Sequence, residues 1–200
     1  MIKSRYIPFS LVMMWVILLG VGYAHGAENL LANGGFEDGV MDPWSIYGDA
    51  NGEVVQGDAM EGSYYLHVTT PQGANFWDAG LQHAGHVFEN GKFYTLAAFL
   101  RAPNNLQINF KPELGEDPWT GYGEQSFAMT DTWQEYHITT PVMTEDVSPA
   151  TITFHIAYNV GEFDIDGVRF IEGDYVPPEE PSAVQPHSKL TTVWGKIKSE

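Results

Sequence analysis

The sequence predicts an all-β protein, a two-sheet β-sandwich of the jelly-roll kind. Three observations carry this expectation. Between residues 27 and 174, short runs alternate apolar and polar residues with period 2, the spacing of a strand that buries one face. No stretch in that region repeats apolar residues at helical spacing over three turns. The chain of 200 residues also holds 21 glycines and 12 prolines, enough turn formers to interrupt every run.

Taken in order, residues 53–56 form the first short run. Leu66 and Val68 then alternate with His67 and Thr69 behind the turn Glu61-Gly62-Ser63. Residues 79–83 follow. Tyr94, Leu96, Ala98 and Leu100 alternate with Thr95, Ala97, Phe99 and Arg101 behind Glu89-Asn90-Gly91. Residues 106–110, 124–129 and 133–140 supply three more candidates, and Trp133 at the head of the last is expected in the core. Ile152, Phe154 and Ile156 alternate with Thr153, His155 and Ala157, and residues 163–171 close the series. Nine or so strands in about 150 residues fill two sheets. A hydrophobic share of 44% and an aromatic share of 14% supply a core and exclude general disorder.

The two ends read differently from the middle. Residues 1–26 have the layout of a secretory signal peptide: Lys3 and Arg5, an almost purely apolar run over 11–21, then Ala24-His25-Gly26 with small residues where a signal peptidase inspects the chain. The run is shorter than the roughly 17–25 residues a membrane anchor needs. The expected location is secreted or cell-surface. Residues 27–174 form the sandwich. Residues 175–186 are rich in proline and glutamate and read as a linker. Residues 187–200 form a basic tail in which Leu190, Val193, Trp194 and Ile197 would share one helical face among Lys189, Lys196 and Lys198. That face can meet the acidic sandwich, a membrane or a partner; the reading favours a surface or sorting partner.

Charge and cysteine content narrow the function. The formal net charge is −17; without Lys3 and Arg5, seven basic residues face 26 acidic ones, for a net −19. Such a surface argues against nucleic acid and against anionic membrane contact through the main domain. The absence of cysteine excludes disulfide frameworks, thiolate metal sites and cysteine nucleophiles.

Six segments, in order, carry a resemblance. Residues 29–37 (NLLANGGFE) open the sandwich and residues 163–170 (FDIDGVRF) close it; between them stand residues 61–68 (EGSYYLHV), 77–82 (WDAGLQ), 91–102 (GKFYTLAAFLRA) and 132–136 (TWQEY). In this order and spacing the chain resembles the family 4/9 carbohydrate-binding modules over nearly all of residues 28–172. The resemblance implies a non-catalytic, galactose-binding-like jelly roll that recognises a neutral polysaccharide of β-glucan or xylan type in an aromatic-lined cleft. It also implies a structural calcium that clamps the two ends together, held by side-chain oxygens of Glu37, Asp58 and Asp166 and by backbone carbonyls near Gly35 and Glu61. A mixed oxygen set of that kind suits calcium. Gly167 departs from the family, which commonly has a second acid there.

A sugar ring offers apolar C–H faces and a rim of hydroxyls, so its site needs flat aromatics and planar polar groups. On residues that alternate away from the core or sit in glycine-rich loops, the candidates are Trp77, Gln82, Phe99, Arg101, Trp119, Tyr122 and His155, with Asn109 and Tyr158 as further possibilities. The resemblance favours Trp77 and His155. Two other function classes stay open: a calcium-stiffened surface or adhesion domain, and a jelly-roll glycosidase. The second is disfavoured because a retaining glycosidase needs two carboxylates about 5 Å apart, and the nearest text, Asp164-Ile165-Asp166-Gly167-Val168-Arg169, ends in arginine. His83 and His86 alone make a weak metal pair.

Overall fold

The structure is a computed structural model that describes residues 28–178. The signal peptide, most of the linker and the basic tail read from the sequence lie outside the described residues.

Ten strands follow one another: β1 (Ser45–Tyr47), β2 (Asn51–Gln56), β3 (Tyr64–Thr70), β4 (Gly80–Phe88), β5 (Tyr94–Arg101), β6 (Gln107–Leu114), β7 (Gln125–Ala128), β8 (Gln134–Thr139), β9 (Val147–His155) and β10 (Gly161–Glu172). They form two five-stranded sheets, ordered β1-β4-β9-β6-β7 and β2-β3-β10-β5-β8. Every pairing is antiparallel. The fold is the expected all-β sandwich.

The core lies between the sheets and is built from the apolar half of each alternation. On the first sheet Leu81, Phe154 and Phe110 stand side by side on β4, β9 and β6; on the second, Leu66, Ile165 and Leu100 do so on β3, β10 and β5. All six are fully buried. The opening segment packs along the closing strand: the Asn29 amide donates to the Val168 carbonyl at 2.9 Å, and the Phe170 N–H donates to Asn29 Oδ1 at 2.9 Å. Gly34 is required there, because a Cβ would overlap the Val168 carbonyl oxygen.

Three departures from the sequence reading have local causes. β1 is three residues long, too short for a periodic signal. β6 runs on through Pro112, a residue that ordinarily ends a strand. Past Phe110, the last residue of β6 paired with β7, the neighbour is the loop, where Tyr122 donates to the Pro112 carbonyl at 2.7 Å. The absent N–H of Pro112 would point to that same side, so the β9 ladder loses nothing. Trp133 is not in the core: it lies on the outer face of the second sheet, half-buried, with its ring centroid 4.4 Å from the Arg101 guanidinium.

Candidate functional site

The outer face of the first sheet carries a row of polar residues that are buried although they point away from the core. Thr151, Thr153 and His155 alternate on β9, flanked by Asn109 and Glu113 on β6; all are at most 5% exposed. Two loops shield them. Residues 71–79 are sewn to the end of β9 by bonds from the Gly73 N–H to the Ala157 carbonyl and from the Ala157 N–H to the Phe76 carbonyl, both 3.0 Å. Residues 115–124 fold back over β6 through the bond from the Leu114 N–H to the Thr120 carbonyl at 2.9 Å. Between these loops runs a cleft of about 650 Å³.

Its floor is a connected polar network. His155 Nδ1 lies 3.3 Å from Asn109 Oδ1, and the Asn109 amide donates to Ser126 Oγ at 3.1 Å and to Glu124 at 3.3 Å. Lys111 pairs with Glu113 at 2.9 Å. Burial, reinforced by the Lys111 charge, lowers the His155 pKa from 6.5 to about 4, so the ring is neutral over most of the working range. Burial, then the nearby Glu113 and Asp78 carboxylates, raises the Tyr47 phenol, which keeps it a hydrogen-bond donor. Gly80 gives the Tyr47 ring its place; a Cβ there would lie 2.6 Å from the ring.

Two tryptophans stand on the walls. Trp77 is 51% exposed and Trp119 52% exposed. Trp77 leans edge-on against Phe76 at 4.8 Å, and Phe76 is stacked at 5.1 Å on Tyr158, whose hydroxyl bonds Ser126 at 2.7 Å. Trp119 adopts φ +56, a left-handed conformation costly for a residue with a Cβ, held by its N–H bond to the Glu116 carbonyl at 2.7 Å. Strain of that kind collects where a side chain must be presented.

Of the residues singled out from the sequence, Trp77, Gln82, Trp119 and His155 line this cleft together. Three others do not join them. Tyr122 packs edge-on against Phe88 at 6.0 Å, on the core side. Phe99 and Arg101 belong to the second sheet, on the far side of the sandwich. Phe99 is only 5% exposed, and the β10 bulge comes close to it, as a Cβ on Gly167 would lie 2.9 Å from the Phe99 ring. Asn109 and Tyr158 support the cleft from beneath and beside. Sequence reasoning missed Tyr47, Phe76, Lys111, Glu113 and Glu124 as lining residues; Lys111 and Glu113 continue the outward alternation of Asn109, a signal hidden by Pro112.

At the junction of the two ends, four of the five proposed calcium positions converge. Asp166 is fully buried; its Oδ2 accepts from the Met60 and Glu61 N–H groups at 2.7 and 2.8 Å, and its Oδ1 accepts from Gly167 at 2.7 Å. Glu37 accepts from Ser63 and Tyr64 at 2.9 and 2.8 Å, across Gly62, whose missing Cβ leaves room for the Glu37 carboxylate. A Cβ on Gly35 would lie 3.8 Å from Asp166 Oδ1. Asp58 differs from expectation: its carboxylate is exposed and pairs with Arg101 at 3.0 Å. Burial pushes the Asp166 pKa up to about 6. A buried carboxylate is a hard oxygen donor of the kind calcium takes, but both oxygens of Asp166 already accept backbone N–H groups, and among the described residues no three acidic or histidine side chains are gathered closely enough to hold a metal. His83 and His86 face each other directly, Nδ1 to Nε2 at 2.8 Å, with the Trp44 ring edge-on to His83 at 5.0 Å.

Comparison with known proteins adds the following. The sequence model of a carbohydrate-binding domain family, 4/9, matches residues 28–160. No curated protein sequence matches significantly. Among solved structures, a family 4 carbohydrate-binding module is 22% identical with TM-score 0.55, covering 71% of this chain and 99% of its own. A xylan-binding family 22 domain from Paenibacillus barcinonensis is 14% identical with TM-score 0.54, covering 77% and 100%. A family 61 module solved with β-1,4-galactotriose is 21% identical with TM-score 0.53, covering 74% and 100%. At these identities the structures attest the fold.

Proposed function

Because the chain belongs to the family 4/9 carbohydrate-binding domains, we propose that its cleft binds a neutral polysaccharide of β-glucan or xylan type without cleaving it. The observation that carries this reading is the pair of half-exposed tryptophans facing a buried, hydrogen-bonded polar floor across about 650 Å³. The rings offer apolar faces to the sugar. Gln82, His155 and Tyr47 offer donors and acceptors to its hydroxyls. Glu113 and Glu124 outnumber Lys111 in the lining, which disfavours acidic polymers. An open cleft leaves much of each sugar in water, so affinity in the micromolar range or weaker is expected. Titration calorimetry against soluble β-glucan, xylan and pectate tests the reading. Heat with a neutral polymer and none with pectate is the expected result; no binding to any neutral polymer would leave the domain a structural or adhesion module.

Two further proposals accompany it. Calcium, when bound, would supply a structural cross-link between the two ends of the sandwich, with the Glu37 and Asp166 carboxylates and the Gly35 and Glu61 carbonyls as its holders. Residues 1–26 would send the domain out of the cytoplasm, to secretion or the cell surface, and residues 187–200 would dock a sorting or surface partner. Deletion of 187–200 should then leave sugar affinity and melting unchanged while altering where the protein resides.

A further inference from the structure

We propose that the outer face of the second sheet carries a second, smaller saccharide site, which takes one or two sugar rings of a branch or chain end. The proposal rests on the saccharide reading of the main cleft, and it accounts for Arg101, which that cleft does not use. A cavity of about 370 Å³ opens on this face, a little over half the volume of the main cleft. His67, Asp164 and Arg101 stand side by side across β3, β10 and β5. Both Asp164 oxygens are engaged, one by Arg101 Nε and one by His67 Nδ1, each at 2.7 Å. The guanidinium is further fixed by Asp58 at 3.0 Å and by the rings of Trp133 and Tyr65, 4.4 and 5.2 Å away. A guanidinium has five N–H donors in a rigid fork; two are spent on these carboxylates, and the side chain lines the cavity.

The remaining lining sets the ligand class. Tyr65 and Pro103 provide apolar wall, and the exposed Asp131 and Glu162 provide carboxylate rim. Carboxylates accept pairs of vicinal hydroxyls, and their charge repels phosphate and uronate groups. Apolar ligands are disfavoured by that charged rim, where desolvation would be costly. A neutral polyol with an apolar face meets both conditions. Because the two sites lie on opposite sheets, one domain would join two polysaccharide chains.

The test is an NMR amide titration of the full chain with glucose, xylose and galactose and with their β-linked disaccharides. It compares the native protein, Asp131→Ala/Glu162→Ala and Trp77→Ala/Trp119→Ala. The rim pair is exposed; Glu162 lies 3.7 Å from His67 Nε2, but the 2.7 Å bonds of Asp164 to Arg101 and to His67 do not depend on it, so the fold of that variant is not at risk. Expected are concentration-dependent shifts at His67, Arg101 and Asp164, weakened at least tenfold by the rim double variant and unaffected by the tryptophan variant. Native shifts confined to residues around Trp77, Trp119 and His155 would overturn the second site while leaving the cleft reading intact. Shifts only around His67 would do the reverse, and no shift at either face would overturn both.

Discussion

Trp119 should separate recognition from stability. It keeps 52% of its surface exposed; for a side chain of up to about 250 Å², that is about 130 Å². A pyranose lying on one ring face covers about half of this, roughly 65 Å². At about 25 cal/mol per Å² the contact contributes about 1.6 kcal/mol, which corresponds to a roughly 15-fold rise in Kd for Trp119→Ala. The folded domain reports the backbone strain. The buried half of the side chain, about 120 Å², contributes about 3 kcal/mol at the same coefficient, and both variants lose it. At φ +56 an L-residue carries about 1–2 kcal/mol of steric cost, which glycine relieves and alanine does not, less about 0.5–1 kcal/mol for the entropy of glycine. Trp119→Gly should therefore lose affinity like the alanine variant while melting at the same temperature as that variant or a few degrees above it, at about 2–4 °C per kcal/mol. Calorimetry with soluble β-glucan or xylan and a thermal melt read the two quantities separately. A glycine variant that melts several degrees below the alanine variant, or undiminished affinity, would refute the presentation argument.

Three other outcomes follow from the same geometry. Gly167→Ala forces a side chain into a backbone at φ +53, 2.9 Å from the Phe99 ring, and should destabilise by about 1–3 kcal/mol with sugar affinity retained; an unchanged melt would mean the bulge relaxes freely. Chelation should lower the melting temperature, with recovery in calcium but much less in magnesium, since a ligand of the native state stabilises it by mass action; the effect should vanish in Asp166→Asn, and a melt indifferent to chelator in the native chain contradicts the calcium proposal. Burial holds His155 and His86 at pKa values of about 4; the stability of their neutral burial is complete above pH 6.5 and is lost as pH falls toward 4. Asp166, raised to about 6, has the opposite sign: its contribution is present below pH 3.8 and lost as pH rises through 6. Melts in calcium-free buffer between pH 7 and 4 should therefore fall, more steeply in Asp166→Asn and less steeply in His155→Gln; a flat profile in all three would show that these groups titrate alike folded and unfolded.

The fold was legible because each long strand buries one face, and period-2 alternation reports that burial directly. Leu96, Ala98 and Leu100 are fully buried where their alternation put them, as are Phe154 and Ile152. The cleft was legible in part for the same reason. His155 and Gln82 had to point away from the core, and Trp77 and Trp119 stand in turn-rich text that offers no core. Alternation names a face but not which sheet carries it. Phe99 and Arg101 are outward residues like His155, but on the other sheet, and only the strand order separates them. Tyr122 shows a second limit: a glycine-rich loop reaches back to the core when its backbone bonds a strand, as the Tyr122 N–H does at Pro112.

The polar floor sets the larger cleft, on the outer face of the first sheet, apart from the smaller cavity on the second. Five polar residues at most 5% exposed on an outer face have already lost most of their water when the protein folds, because the two loops cover them. Three of them are bonded within the protein, His155 to Asn109, Asn109 on to Glu124 and Ser126, and Glu113 to Lys111, while the Thr153 hydroxyl is buried without a partner. On the proposed reading, a sugar entering the cleft would not have to strip water from them or order them, and those are the costs that erode affinity in polar sites. What remains for the ligand is to cover the two tryptophan faces and to match the few donors and acceptors still directed into the cleft. The rings are indifferent to which pyranose lies on them, since every such ring has an apolar face. The floor is not indifferent, because a hydroxyl of the wrong orientation leaves a buried group unpaired. The proposal therefore assigns tightness to Trp77 and Trp119, and choice of sugar to Tyr47, Gln82 and His155.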